Sequence, residues 1–161
     1  MSGAGAHLAE FNWGLLRHDW DDPRVAEFVD ALDSVNGAAS AAEGFVWRLP
    51  DEEMEAAQTD PSSPLGAHPL LASTLSVWTD AMRLARFVWG RVHGPYLKRG
   101  GLWFEPGDGP RLVMWHVAKG HRPSVAEAAE RRERLEAEGE GPVAFGWDFL
   151  RQSGQLGGVI A

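Results

Sequence analysis

The stretch RLVMWHVAKGHRPS, residues 111–124, decides how the fold is read. Its alternation puts Leu112, Met114, His116 and Ala118 on one face of a strand, and Val113, Trp115 and Val117 on the other. Both faces are mostly apolar, so both have to be covered, as in a strand inside a layered domain. The strand leaves through His121, Arg122 and Pro123, a turn where polar side chains hold loops together. Ser124 and Glu127 then form a capping box that opens a charged helix over VAEAAERRERLEAEG.

Outward from this strand the same two periods recur. HLAEFNWGLL alternates His7, Ala9, Phe11 and Trp13 against Leu8, Glu10, Asn12 and Gly14 and predicts a first strand. DDPRVAEFVDALDSVNG predicts a helix, with Asp22 as N-cap, Pro23 in the first turn, a stripe of Val25, Phe28, Val29, Leu32 and Val35, and Asn36-Gly37 as the stop. GFVWRLP is a short strand closed by Pro50. Residues 51–68, acidic and broken by prolines, are expected to form a flexible loop or flap. LLASTLSVW is a third strand. Thr79 caps a second helix with Met82, Ala85, Trp89, Val92 and Tyr96 on its stripe, interrupted at Gly94-Pro95. VAFGWDF, with Val143, Phe145, Trp147 and Phe149 alternating, predicts a closing strand, and 151–161 a loose tail.

The resulting order, βαββαβαβ, belongs to an α+β protein. Its first six elements form the ferredoxin-like βαββαβ arrangement, with an extra C-terminal helix and strand. Two helices cover one face of such a sheet, and a second subunit laid on the other would make a homodimeric α/β barrel. At 161 residues one domain is expected, with a core over about 7–150.

Composition excludes several classes. A net charge of −8 without a basic stripe argues against nucleic acid, whose phosphates demand a basic face. Without cysteine there are no disulfides or thiolate catalysis, and a reducing cytoplasm fits. No apolar run approaches eighteen residues and the N-terminus has no basic leader, so no membrane is expected. Eight tryptophans and seven phenylalanines against one tyrosine suit a deep core or a pocket for a flat, hydrophobic or aromatic small molecule.

The segments LSVW, RFVWGRVHGPYLKRGGLWFEP and LVMWHVAKGHRPSVAEA, with DDPRVAEFVDALDSVN and GFVWRL, resemble a bacterial domain family of unknown function. That family is placed among the dimeric α/β barrels related to antibiotic-biosynthesis monooxygenases. The resemblance spans about 7–136 and implies a ferredoxin-like fold, a homodimer and a pocket between sheet and helices. Such barrels include cofactor-free oxygenases, haem-degrading enzymes, isomerases and plain binders, so fold alone does not settle activity. Relatives carry a run of arginines before the Trp-Phe pair; here Gly100-Gly101 intervenes, against an unbroken helix.

His93, flanked at helical spacing by Trp89 and Tyr96, is the candidate general base, with a reference pKa of about 6.5. Asn12 and His116 would hold a developing enolate or phenolate oxygen, while Trp13, Trp89, Tyr96 and Trp103 would wall the pocket. Each histidine also has a structural reading, as a side chain satisfied by a backbone or neighbouring acceptor. No helical His-x-x-x-His or Glu-x-x-His spacing occurs, so neither a metal nor another cofactor is expected. Haem-degrading relatives pair an asparagine on the first strand with a tryptophan and a later histidine on the second helix. Asn12 fits that pattern, but His93 comes more than a turn too early. The expected activity is that of a monooxygenase-like or isomerase-like enzyme acting on an aromatic or polyketide-like compound, the alternative being a non-catalytic ligand-binding or structural homodimer.

Overall fold

The computed structural model describes residues 5–158. Four strands, β1 (Ala6–Leu15), β2 (Phe45–Arg48), β3 (Leu71–Trp78) and β4 (Leu112–Ala118), form one open antiparallel sheet in the order β2-β3-β1-β4. Six α-helices accompany them among the described residues: α1 (Ala26–Ala41), α2 (Asp51–Thr59), α3 (Ala81–Val88), α4 (Gly94–Arg99), α5 (Val125–Glu138) and α6 (Trp147–Gln152). The first four expected strands are present, the closing one is not, and the architecture is mixed α+β.

Side chains alternate across a strand, so β1 serves two cores. Leu8 points to the side of α1, α3 and α6, where Trp78, Met114, Ala39, Leu84, Ala85, Phe145 and Leu150 are buried with it. Ala9 and Phe11 point to the other side and pack with Leu75, Val77, Val113 and Trp115 under Met54 of α2 and Ala128 and Leu135 of α5. A third cluster, Leu16, Val25 and Trp103 with Phe28, Tyr96 and Phe104, closes the end of the sheet near α4. Gly14 is required there, because a Cβ on it would stand 2.7 Å from the Phe104 ring.

Coverage of the second face corrects the packing premise for a partner subunit. Phe11, Val77 and Trp115 on that face are each 1% exposed within one chain. The cover comes from α5 and from α2, the segment expected to be part of a 51–68 flap. Asp51, Glu52 and Glu53 occupy the first turn of α2, where acidic side chains favour the positive end of the helix. Met54 anchors it in the core, and Gln58 accepts hydrogen bonds from the Ser73 backbone N–H and hydroxyl at 2.8 Å each.

The C-terminal part differs from the sequence expectation as well. Residues 143–149 do not add a strand: Phe145 makes one bridge to Met114 through a reciprocal backbone pair of 2.7 and 2.9 Å. Beyond it Glu140 Oε1 accepts from the Gly146 and Phe149 N–H groups at 2.6 and 3.0 Å, satisfying donors at the start of α6. The 151–161 tail is not loose throughout, since α6 extends to Gln152 and Leu156 is buried; residues 159–161 lie outside the described residues.

Helix ends shift too. Asn36-Gly37 does not stop α1, which runs to Ala41, and Asp22 caps a 3-10 turn at Pro23–Val25 that leads into it. Asp80 rather than Thr79 caps α3, its Oδ1 accepting from Arg83 N–H at 2.9 Å. The helical chain breaks well before Gly94-Pro95, α3 ending at Val88 and α4 starting anew with Pro95 in its first turn. The Ser124 cap of α5 is as the sequence implies, but Glu127 does not reach back to complete the box. Its two oxygens accept from Trp115 Nε1 and pair with His121 Nε2, both at 2.8 Å, fastening the β4–α5 turn.

Candidate functional site

The sheet register assembles a row of polar groups inside the face covered by α1 and α3. Glu10 stands opposite Ser76 on β3 and Met114 on β4; Asn12 stands opposite Thr74 and Leu112. Asn12 Nδ2 donates to Glu10 Oε1 at 2.8 Å and to Thr74 Oγ1 at 2.6 Å. Ser76 Oγ donates to Glu10 Oε2 at 3.3 Å and accepts from Trp78 Nε1 at 3.1 Å. Two donors, Asn12 and Ser76, therefore act on one carboxyl group, the second of them itself held by Trp78, while Asn12 and Thr74 remain half-buried at the outer end of the row.

Glu10 is 7% exposed. Burial in apolar surroundings pushes its carboxyl up to about 7, and the hydrogen bonds from Asn12 and Ser76 only partly offset that rise. A group that exchanges a proton near neutrality, held by fixed donors next to the half-buried Asn12, can serve as a general acid or base. In the sequence Glu10 stands out only as sharing a face with Leu8 and Asn12. A lone carboxylate at the centre of a strand apolar on both faces was the available signal.

The structure gathers only part of the predicted set. Asn12 contacts Glu10 directly, and His116 lies on the same face, opposite Leu8. Asn12 and His116 are four residues apart in register, roughly 14 Å by strand rise and spacing, too far to share one substrate oxygen. His116 Nε2 meets Gln155 Oε1 at 2.9 Å and its ring lies 5.2 Å from that of Phe145; burial lowers its pKa, and the Gln155 contact offsets this only in part.

His93 is held elsewhere. Its Nδ1 is 2.9 Å from the Val88 carbonyl, which can only accept, so that nitrogen carries the proton. Its ring lies 5.4 Å from Phe87, which itself stacks on Trp78, and burial lowers its pKa. His93 thus joins the ends of α3 and α4 outside the aromatic layer that covers the sheet.

The four predicted pocket walls are dispersed. Trp13 follows Asn12 on β1 and therefore faces the opposite core, stacked on Phe11 with the Arg132 guanidinium 4.4 Å from its ring. Trp89 meets Trp147 edge to face at 4.5 Å, and Tyr96 lies 6.0 Å from the buried Trp103. Among the described residues no group of three His, Cys, Asp or Glu side chains is placed to hold a metal ion, and no helix is long and apolar enough to cross a membrane.

Fold and site together define an α+β protein with one open four-strand antiparallel sheet and a buried polar row on one face. Residues 7–155 match the family described as Domain of unknown function (DUF3291), and the chain belongs to that family. Among solved structures it is similar to the NE2512 protein of unknown function from Nitrosomonas europaea, at 14% identity and a TM-score of 0.47, over 76% of this chain and 99% of that one. No curated protein matches the chain.

Proposed function

We propose that the chain is a ferredoxin-like small-molecule protein whose working group is the Glu10 carboxyl, acting without cofactor as the acid or base in proton transfer on an enolisable aromatic or polyketide-like compound. The strand order β2-β3-β1-β4 with crossover helices α1 and α3 on one face supports that fold. The observation that carries the function is a buried carboxyl raised to about 7 whose hydrogen-bond row emerges at half-buried Asn12 and Thr74. In this role Asn12, whose two amide hydrogens go to Glu10 and Thr74, orients the carboxyl, and Glu10 takes the place that the sequence offers to His93. Isomerisation needs only this proton transfer; oxygenation would add dioxygen to the resulting carbanion.

Deuterium exchange at the acidic methylene of anthrone, followed by NMR, tests the proposal. The native protein is expected to accelerate exchange with a rate that rises through about pH 7, and Glu10→Gln to remove about a hundredfold of that acceleration. Equal acceleration by both proteins, or none by the native one, would sink it. A non-catalytic binding or structural role is the second reading, favoured because the donors on Glu10 all come from within the chain; it predicts the second of those failures.

We further propose that one chain is the functional unit, as a single domain. Both sheet faces are covered by its own helices, so the apolar area that would drive a sheet-to-sheet dimer is already buried. Light scattering at micromolar concentration is expected to give a mass near 17.6 kDa; twice that mass would show that the functional unit is a dimer.

A further inference from the structure

The charge of this chain is unevenly distributed. Against a net −8 overall, residues 81–104 carry Arg83, Arg86, Arg91, Lys98 and Arg99 and no acidic side chain. The segment spans α3, α4 and the turn between them. Its ion pairs engage Arg83, with Asp80 and Glu43, and Arg99, with Glu27 of α1. Arg86, Arg91 and Lys98 are left without an acidic partner among the described residues. A cluster of uncompensated cations raises the local concentration of small anions even on an acidic protein.

Arg91 and Arg99 stand at a groove of about 380 Å³ between α1 and α4, a volume in the range of small-molecule sites. Val35 of α1 with Val92 and Pro95 gives it apolar walls, and Tyr96 completes its lining. Arg99 is held there by a two-point pair with Glu27, its Nη2 at 2.8 Å from Oε2, which leaves Arg91 as the uncompensated charge. Planar guanidinium groups present paired N–H donors that match a carboxylate or phosphate. Val92, 47% exposed beside Arg91, offers apolar surface to the remainder of a ligand. The groove lies on the outer side of the third core cluster, away from the Glu10 row, and is independent of it.

We propose that the groove between α1 and α4 binds the anionic group, phosphate or carboxylate, of a small molecule with an apolar body, through Arg91. The test is a calorimetric and NMR titration of the full chain with 1-naphthyl phosphate and 1-naphthoate, with 1-naphthol as the neutral analogue. Both anions are expected to bind and to shift amide signals of residues 91–99 and of α1 near Val35, with 1-naphthol at least about tenfold weaker. Arg91→Gln is expected to weaken anion binding about tenfold, while Arg86→Gln, outside the groove, leaves it unchanged; both positions are exposed, and thermal melting confirms folding. Equal affinity for 1-naphthol, an unaltered Arg91→Gln titration, or signal shifts located elsewhere would overturn the assignment. Vesicles containing phosphatidic acid distinguish a lipid headgroup as the source: co-sedimentation without naphthyl phosphate binding would overturn the small-molecule site.

Discussion

Glu10→Gln is expected to stabilise the protein above pH 7 by about 3 kcal/mol relative to the native sequence, and to leave stability nearly unchanged at pH 4. The sign follows from the direction of the shift. Burial raises the folded-state value to about 7 from the ordinary 4.5, so the folded chain holds this proton more tightly than the unfolded one. Below pH 4.5 the group is neutral in both states and carries no penalty. As pH rises from there, unfolding releases the proton, and stability falls by about 1.4 kcal/mol per unit until the folded group also ionises near 7. Glutamine keeps the shape and can accept from Asn12 but has no proton to lose. The difference between the two proteins, read by urea unfolding from pH 4 to 8, isolates Glu10 from other carboxylates such as Asp80, which shift the opposite way. A constant difference across that range would place Glu10 in water rather than in the core.

The second large effect is expected at Trp115. Its side chain is almost fully buried, packs between the sheet and α5, donates to Glu127 at 2.8 Å and lies 5.9 Å from the Arg131 guanidinium. Trp115→Ala opens a cavity and strips Glu127 of a donor, at an expected cost of about 4 kcal/mol, a large part of the stability of an ordinary domain. Trp115→Phe keeps most of the packing and loses the donor, for about 1 to 2 kcal/mol. Chemical denaturation of both variants checks the ranking; a cost below about 1 kcal/mol for alanine would mean that α5 does not close this face.

The four strands were legible because sheet geometry imposes a short, strict period, and LVMWHVA and LASTLSVW obey it. Capping chemistry is equally local, which is why Ser124 marks the start of α5. The helix α2 was not legible, since its stability comes from one buried methionine and from Gln58 meeting Ser73, contacts between positions distant in sequence. The closing strand failed for a related reason. Alternation in VAFGWDF satisfies a strand template, but Gly146 and the Glu140 carboxylate turn the chain into α6 after a single bridge.

Asn12 draws attention from its place on an inward face, where it bonds Glu10. Glu10 was passed over because histidines carry the stronger prior for proton transfer near neutrality, and only burial makes a glutamate comparable. That His93 and His116 do not meet Asn12 depends on the break after Val88 and on strand register, neither of which a side-chain spacing reveals.

The most direct test of the account is the titration of the Glu10 carboxyl itself, by carbon-13 NMR of side-chain carboxyl signals with Glu10→Gln supplying the assignment. A midpoint near 7 is predicted, with the Asn12 side-chain amide signals moving over the same range. A midpoint in the ordinary glutamate range, about 4.3, would contradict it.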